Sequence, residues 1–323
     1  MTRWEIPSDP VGTLPKFDDS SAALCGGFSV GGLTVQLTGY RSADVALVPP
    51  LEPFRVKTGA SDINVEVEWV AAIPPSTALR VFDSGSVWRL SEDEDFLQFD
   101  FNVPSLGEQP YKRLIVENNF RRAKLQMNEQ SFATLPTVPE PLEYPLDELL
   151  IMHRLTQERA IELHGVGIVG PDGASNLFVG HSGAGKSTTA RLWTALHKVK
   201  ILSDDRIIVR ERPARELQPG DDPGQIFMYG TPWHGEGCFA LPQRAPLQRI
   251  FVLEHGHGNV LTRLTCSQMV AELFARAFVP FHRHEYVDSA LSFLERVADS
   301  VPGYHYSFEP DERAVEKVLH FHD

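Results

Sequence analysis

The chain has 323 residues, of which 42% are hydrophobic and 23% are charged, an ordinary composition for a globular protein. Its 43 acidic and 30 basic residues give a net charge of −13. This balance argues against broad nucleic-acid binding, which needs clustered lysines and arginines. The N-terminus lacks the apolar stretch of a signal peptide, and no apolar run is long enough to span a bilayer. We therefore expect a cytoplasmic protein that binds neither nucleic acid nor membrane.

Residues 1–138 are predicted to form a smaller, antiparallel β-rich domain. Strand-like segments flank a Gly31-Gly32 pair and a turn at residues 83–86, which are the patterns of β-hairpins. Residues 65–70 alternate apolar and charged side chains, as a half-buried strand should. The stretch 135–141 is rich in proline and unsuited to a helix, so we place the domain boundary there.

Residues 145–323 are predicted to form an α/β domain, because apolar strands alternate with helical segments along this part of the chain. A helix is expected to begin near Leu146, and two amphipathic helices are expected towards the C-terminus. The other predicted segments are strands at 161–168, 177–179 and 199–202, and helices at 186–197, 267–278 and 285–300.

Residues 180–188, the P-loop, match the Walker A pattern G-x-x-x-x-G-K-[ST] between an apolar strand and a helix-forming segment. The glycines let backbone N–H groups converge on phosphate, and the positive end of the helix favours the same anion. We expect Lys186 to bridge the β- and γ-phosphates of a nucleotide, and the Ser187 hydroxyl to bind Mg²⁺. The alternative is a chance match in a glycine-containing turn. The predicted nucleotide-binding residues are Gly180, His181, Ser182, Gly183, Ala184, Gly185, Lys186, Ser187 and Thr188.

Two adjacent acids, Asp204 and Asp205, end a short apolar strand after the P-loop helix, which is the position of a Walker B acid that holds Mg²⁺. Two carboxylates side by side suggest that one binds metal while the other acts as a general base. A surface turn is the alternative interpretation. Upstream, His164 lies in a strand-like segment, where an isolated histidine is more often a core or surface residue than a catalytic one.

Three motifs together resemble the catalytic domain of HPr kinase/phosphorylase. They are His164-Gly165, the P-loop and residues 202–206. The same part of the chain is similar to the nucleotide core of phosphoenolpyruvate carboxykinase. The resemblance covers about residues 145–320. It implies an α/β P-loop kinase fold that uses ATP and Mg²⁺ and transfers the γ-phosphoryl group to a serine or another hydroxyl. It also implies that Asp204 takes the proton from the hydroxyl, that Asp205 binds the metal, and that His164 supports the base or the metal.

The chain departs from the HPr kinases in two places. Its first 135 residues do not resemble their N-terminal domain, and residues 228–237 replace their glycine-rich signature. We therefore expect an HPr kinase-related phosphotransferase with a different acceptor, which is a protein, a peptide or a small molecule. A carboxykinase-like enzyme and a nucleotide-gated binding module stay open as alternatives, and so does a homo-oligomer. The carboxykinase is disfavoured because that family is much longer.

Residues 230–237, the Trp233 loop, combine three glycines with Trp233, His234 and Glu236. One interpretation is a wall of the active site, with Glu236 on the metal and His234 near phosphate. The other is a structural turn that Trp233 buries.

Arg276 belongs to an apolar segment that we predict to be helical, and from there it could stabilise the charge on a transferring phosphoryl group. A surface salt bridge is the alternative. Four other histidines lack the spacing of a zinc site, so we expect them to be solvated loop residues. They are His255, His257, His282 and His284.

Overall fold

The computed structural model describes residues 24–39, 47, 49–57, 59–133, 140–213, 216 and 222–321. These residues form two β-sheets, with 38% of residues in strands and 24% in helices, so by content the molecule is mostly β. No helix within these ranges is long and apolar enough to cross a bilayer. The polar N-terminus and most of the proline-rich stretch at 135–141 lie outside the described residues.

The first sheet, called the N-terminal sheet, has eight strands. They are β1 (Leu24–Val30), β2 (Leu33–Gly39), β3 (Ile63–Val70), β4 (Leu79–Asp83), β5 (Trp88–Glu92), β6 (Phe96–Phe101), β7 (Lys112–Glu117) and β8 (Arg122–Asn128). Two short 3-10 helices (Pro49–Phe54 and Pro104–Leu106) and helix α1 (Glu129–Phe132) accompany them. The strand order is β1-β2-β3-β8-β7-β6-β5-β4.

The predicted hairpins are present in this sheet. Gly31 and Gly32 connect β1 to β2 with φ angles of 62° and 73°, a conformation that glycine adopts readily and that fits the twist of paired strands. The turn at 83–86 connects the antiparallel pair β4 and β5. The prediction that the whole sheet is antiparallel is wrong, because β3 pairs in parallel with both β2 and β8. Long connections separate these strands in the chain, and such connections permit parallel pairing.

The second sheet, called the C-terminal sheet, has ten strands. They are β9 (Ala160–Val169), β10 (Ser175–Val179), β11 (Lys200–Ser203), β12 (Arg206–Glu211), β13 (Ile226–Gly230), β14 (Arg244–Pro246), β15 (Arg249–His255), β16 (Val260–Arg263), β17 (Ala277–Phe278) and β18 (Gly303–Phe308). The main order is β14-β13-β12-β9-β10-β15-β18-β16, and β11 and β17 both pair with β9. Among the described strands of this second sheet, the parallel pairs are β10 with β15 and β15 with β18.

Helices cover both faces of this sheet. They are α2 (Leu146–Leu155), α3 (Lys186–Thr194), α4 (Cys266–Phe274), α5 (His284–Ser300) and α6 (Glu312–Leu319). Successive residues of a strand point to opposite faces. On β10, Leu177 and Val179 pack in the core that includes α4 and α5, whereas Phe178 packs with α3 and α6. The predicted strands and helices of this half therefore occur, but they build a mixed sheet, and the assignment to the α/β P-loop kinase class stays a prediction.

One predicted helix is shorter than expected. We expected it to cover residues 267–278, but α4 ends at Phe274, and Ala277–Phe278 forms strand β17 instead. Thr265 begins α4 with a capping box, in which its side chain and that of Gln268 satisfy each other's backbone N–H groups. The helix ends early because residues 277 and 278 pair with β9.

The two sheets share a hydrophobic core. Apolar residues of α2 and of strands β12 and β13, including Ile208 and Phe227, pack with the N-terminal sheet. Arg210 of β12 is fully buried, and its guanidinium donates to the Gly31 carbonyl (2.8 Å) and to Glu158 (2.9 Å). The β1–β2 turn is thus fixed against the second sheet. The division into domains at 1–138 and 145–323 stays a prediction.

Arg210→Ala should destabilise the protein by about 1–3 kcal/mol, because it leaves the Gly31 carbonyl without its donor and removes one of the two arginine partners of the partly buried Glu158. Denaturant unfolding measures the loss. Arg210→Lys keeps the charge but has no two-armed guanidinium, so it should lose an intermediate amount. A loss below about 1 kcal/mol for Arg210→Ala, the range of an exposed ion pair, would contradict a role in joining the sheets.

Candidate functional site

The P-loop connects the end of β10 to the start of α3, as the sequence predicted. All five residues of β10 are buried, so the loop leaves a fixed strand. Gly183 and Gly185 have φ angles of 79° and 102°, which other residues rarely adopt. Gly185 is also the N-cap of α3, and a side chain at this position would collide with the Phe308 ring. The loop therefore requires glycine at these two positions.

Lys186, the first residue of α3, is buried, and its ammonium group lies inside the loop. Nζ donates to the carbonyl oxygens of Gly180 (2.8 Å) and His181 (3.0 Å). Burial lowers the pKa of Lys186, the Asp205 carboxylate opposes that change, and the positive charge of Arg276 adds to it. The charges of Asp205 and Arg276 therefore both reach the P-loop lysine.

The two adjacent aspartates have different environments. Asp204 is buried, and its two carboxylate oxygens accept the backbone N–H groups of Gly235 (2.9 Å) and Gly237 (2.7 Å). Both of these glycines belong to the Trp233 loop. Asp204 thus fixes the Trp233 loop to the end of strand β11 through two backbone hydrogen bonds.

Asp205 instead contacts His164. Its Oδ1 lies 2.9 Å from His164 Nε2, and Arg206 donates to its Oδ2. Strands β9 and β12 bring these groups together, because His164 and Arg206 are register partners. Burial raises the pKa of Asp205, but the His164 hydrogen bond and the charges of Arg206 and Lys186 outweigh burial and lower it. Asp205 is therefore held as a carboxylate within reach of the charge of the P-loop lysine.

Arg206 joins Asp205 to a buried acidic cluster that no motif in the sequence indicated. Its Nε donates to Glu148 of α2 (2.9 Å) and lies 3.5 Å from Glu162 of β9. Its guanidinium also stacks on the Phe278 ring at 4.1 Å. Burial and the neighbouring Glu148 carboxylate raise the pKa of Glu162 well above its usual range. Arg206 therefore has a fixed position, and it connects the candidate site to α2.

Arg276 lies just beyond the end of α4 and not within a helix as we expected. Its Nη1 donates to the carbonyl oxygen and to the carboxylate of Glu272, both at 2.6 Å. Its own carbonyl oxygen accepts the backbone N–H of His164 (2.8 Å). Arg276 thus makes a salt bridge, which was the alternative interpretation, with its own side chain buried and Glu272 partly exposed. The role of Arg276 at a phosphoryl group stays a prediction. Arg276 lies beside His164, and its charge acts on Lys186.

The Trp233 loop combines features of both interpretations. Trp233 is buried and donates through Nε1 to Asp147 of α2 (2.8 Å), as in a structural turn. The backbone of the same loop also donates to both carboxylate oxygens of Asp204, which directly precedes Asp205. His234 and Glu236 are exposed at the surface. The metal role of Glu236 and the phosphate role of His234 stay predictions.

Two of the four histidines that we expected in solvated loops make specific contacts. His255 bonds to the P-loop through Gly183 (2.9 Å), and His282 is half-buried with its ring 5.3 Å from that of the buried His153. His257 is exposed in the turn after β15, as expected, whereas His284 is exposed but is the first residue of helix α5. Their spacing in the sequence gave no sign of the difference, because the contacts are made with distant segments.

Oxygen ligands suited to Mg²⁺ are available near Lys186. The described residues contain no group of three or more His, Cys, Asp or Glu side chains suited to a metal. A nucleotide-bound Mg²⁺ needs only one or two protein oxygens, because phosphates and water supply the rest. Ser187 is exposed in the first turn of α3, and the Asp205 carboxylate interacts with the charge of the neighbouring Lys186. These residues fit a Mg²⁺ that arrives with a nucleotide.

Asp147, the acceptor of the Trp233 hydrogen bond, gives a pH-dependent prediction. Burial raises the pKa of Asp147 to about 7. In the unfolded chain its pKa is near 4. Between these values the folded protein keeps a proton that the unfolded chain has lost, so stability falls as pH rises from about 4 to about 7. Asp147→Asn cannot ionise. The difference between its melting temperature and that of the wild type should therefore rise in favour of the variant from about pH 4 to about pH 7, and should stay at that value above pH 7. A difference that is constant with pH would contradict the assignment.

Comparison with known proteins adds no family to these observations: no protein-family model matches the chain, and no curated protein shows significant similarity to it. Interpretation of the site therefore depends on the residues themselves and on their geometry.

Proposed function

We propose that this protein is a Mg²⁺- and ATP-dependent phosphotransferase that transfers the γ-phosphoryl group to a hydroxyl of a protein, a peptide or a small molecule. One observation carries the proposal. The Asp205 carboxylate, which contacts His164, lies close enough to the P-loop for its negative charge to act on Lys186. A phosphate-binding loop beside a positioned carboxylate is the arrangement that phosphoryl transfer requires.

The contacts favour a division of roles between the aspartates that differs from the one implied by the resemblance to HPr kinase. Both oxygens of Asp205 contact side chains, those of His164 and Arg206, and the charge of Lys186 acts on this carboxylate, so we assign to it the acceptance of the hydroxyl proton. Asp204 has both oxygens on backbone N–H groups, so we assign to it the positioning of the Trp233 loop. The acceptor oxygen then forms a bond to the γ-phosphorus, the bond to the β,γ-bridging oxygen breaks, and ADP leaves.

The remaining charged residues would bind the polyphosphate. Lys186 would exchange its carbonyl partners for phosphate oxygens, and Arg276 would move from Glu272 towards the transferring group. Mg²⁺ would be held by Ser187 and the phosphates, where it supplies positive charge to the β- and γ-oxygens. These roles assign Lys186 and Arg276 to the nucleotide and leave Asp205 for the acceptor.

The experiment is transfer of label from γ-labelled ATP in the presence of Mg²⁺ and a lysate of the source cells, followed by identification of the labelled species. We expect label on a hydroxyl of one protein, peptide or metabolite, and none when Lys186→Ala replaces the wild type. ATP binding without any transfer or hydrolysis would contradict the kinase.

A second function, a nucleotide-gated binding module, is favoured by the connections from the site to α2. Trp233 bonds to Asp147, and Arg206 bonds to Glu148, so two adjacent residues of α2 contact the site. The apolar side of α2 packs in the core of the N-terminal sheet. A change at the P-loop could therefore reach that sheet. Tight, ATP-dependent capture of a partner without phosphorylation would support this function over the kinase.

A further inference from the structure

His255, the last residue of β15, contacts the P-loop from the side opposite to Asp205. Its Nε2 lies 2.9 Å from the carbonyl oxygen of Gly183. Because a carbonyl oxygen only accepts, Nε2 must carry the proton and donate it. The imidazole also stacks on Phe308, the last residue of β18, with 5.3 Å between ring centroids and 26° between planes. One hydrogen bond and one ring contact thus orient an otherwise exposed side chain.

The sheet explains why these groups meet. Strands β10, β15 and β18 are parallel neighbours, so their C-terminal ends lie at one edge of the sheet. The P-loop follows β10 at this edge. His164 and Asp205 reach it from the other neighbour of β10, through β9 and its partner β12. His255 is therefore placed to act on the binding of phosphate and not on the proton of the acceptor.

The hydrogen bond fixes one peptide unit of the loop. The C=O and N–H of a trans peptide point in opposite directions, so a carbonyl held outward at Gly183 turns the Ala184 N–H inward. This N–H does point into the loop, where it donates to the His181 carbonyl (3.0 Å). Inward N–H groups are the donors with which such a loop binds phosphate. Gly183 itself has no side chain that could hold the unit in place.

We propose that His255 is a positioning residue that holds the Gly183–Ala184 peptide unit in its phosphate-binding orientation. The inference rests on the proposed nucleotide site and adds a residue to it. Phosphate would displace the Ala184 N–H from His181, while His255 keeps the carbonyl turned away from the anion. The hydrogen bond and not the aromatic ring carries this role.

The test measures affinity for Mg²⁺–ATP and for tripolyphosphate, which has the phosphates without the nucleoside. His255→Ala should weaken both by a similar factor, about 3- to 10-fold, the effect of one hydrogen bond. His255→Gln, which keeps an N–H donor, should recover most of the affinity. His255→Phe, which keeps the ring on Phe308 but no donor, should not. His257→Ala is the matched control, since its side chain is fully exposed two residues away.

Three results would overturn the inference: unchanged affinity in His255→Ala, equal recovery with Phe and Gln, or weakening for ATP alone, which would indicate a contact to the nucleoside. If the wild type binds neither ligand, the proposed function fails and the inference with it. If the wild type binds and His255→Ala binds equally well, only the inference fails.

Discussion

Lys186→Ala should abolish the rise in melting temperature that Mg²⁺–ATP gives to the wild-type protein. Lys186 is the cation inside the P-loop, and its present partners are two carbonyl oxygens that phosphate oxygens can replace. A ligand at a hundred-fold excess over its dissociation constant stabilises the folded state by about 2.7 kcal/mol. Without the ammonium group the polyphosphate loses its main counter-charge, and this stabilisation should disappear.

Differential scanning fluorimetry with and without Mg²⁺–ATP measures the effect. The comparison uses the ligand-induced shift of each variant, because removal of a buried lysine also changes the stability of the free protein. Lys317→Ala, an exposed lysine on α6, is the control and should keep the full shift. An equal shift in Lys186→Ala would remove the P-loop from the proposed function.

The parts of the fold that depend on neighbouring residues could be predicted from the sequence. The Gly31-Gly32 turn requires two positive φ angles, and glycine pairs at such positions signal a hairpin. The conformation of the P-loop likewise depends on the positive φ angles of Gly183 and Gly185. The strand before the loop and the helix after it lie where the sequence pattern predicted them. Local backbone chemistry decides these elements.

The parts that depend on distant residues could not be predicted. β3 and β8 are adjacent only in the folded sheet, so periodicity gave no sign of their parallel pairing. The helix expected to continue to residue 278 gives way to β17 because β9 offers a pairing edge. Propensity within the segment itself favoured a helix, and the tertiary contact overrides it.

The same distinction holds for the candidate site. Its residue types and order were predictable, but the partners of each side chain were not. Asp204 and Asp205 are equivalent in the sequence, and only contacts with Gly235, Gly237 and His164 separate their roles. Glu148 is 58 residues from Arg206, so no local motif could join them.

The aspartate pair gives the prediction with the largest expected effect on rate. Asp205→Asn should lower single-turnover transfer by about 10²–10⁴, the usual contribution of a general base, and keep ATP affinity within a few-fold. His164→Ala should lower the rate less, because it removes the group that orients Asp205 and not the proton acceptor. The double variant should lose little more than Asp205→Asn alone, since both residues act on one proton.

Asp204→Asn separates the two possible assignments. An asparagine has one acceptor oxygen, so its amide group would face one of the N–H groups of Gly235 and Gly237. We therefore expect a lower melting temperature, and a loss of transfer rate smaller than that of Asp205→Asn. If instead Asp204→Asn keeps its stability and loses the rate while Asp205→Asn weakens Mg²⁺–ATP binding, Asp204 is the base and Asp205 the metal ligand, as the resemblance to HPr kinase implies. Full activity in both variants would exclude the pair from the chemistry, because no carboxylate would then be needed to accept the proton.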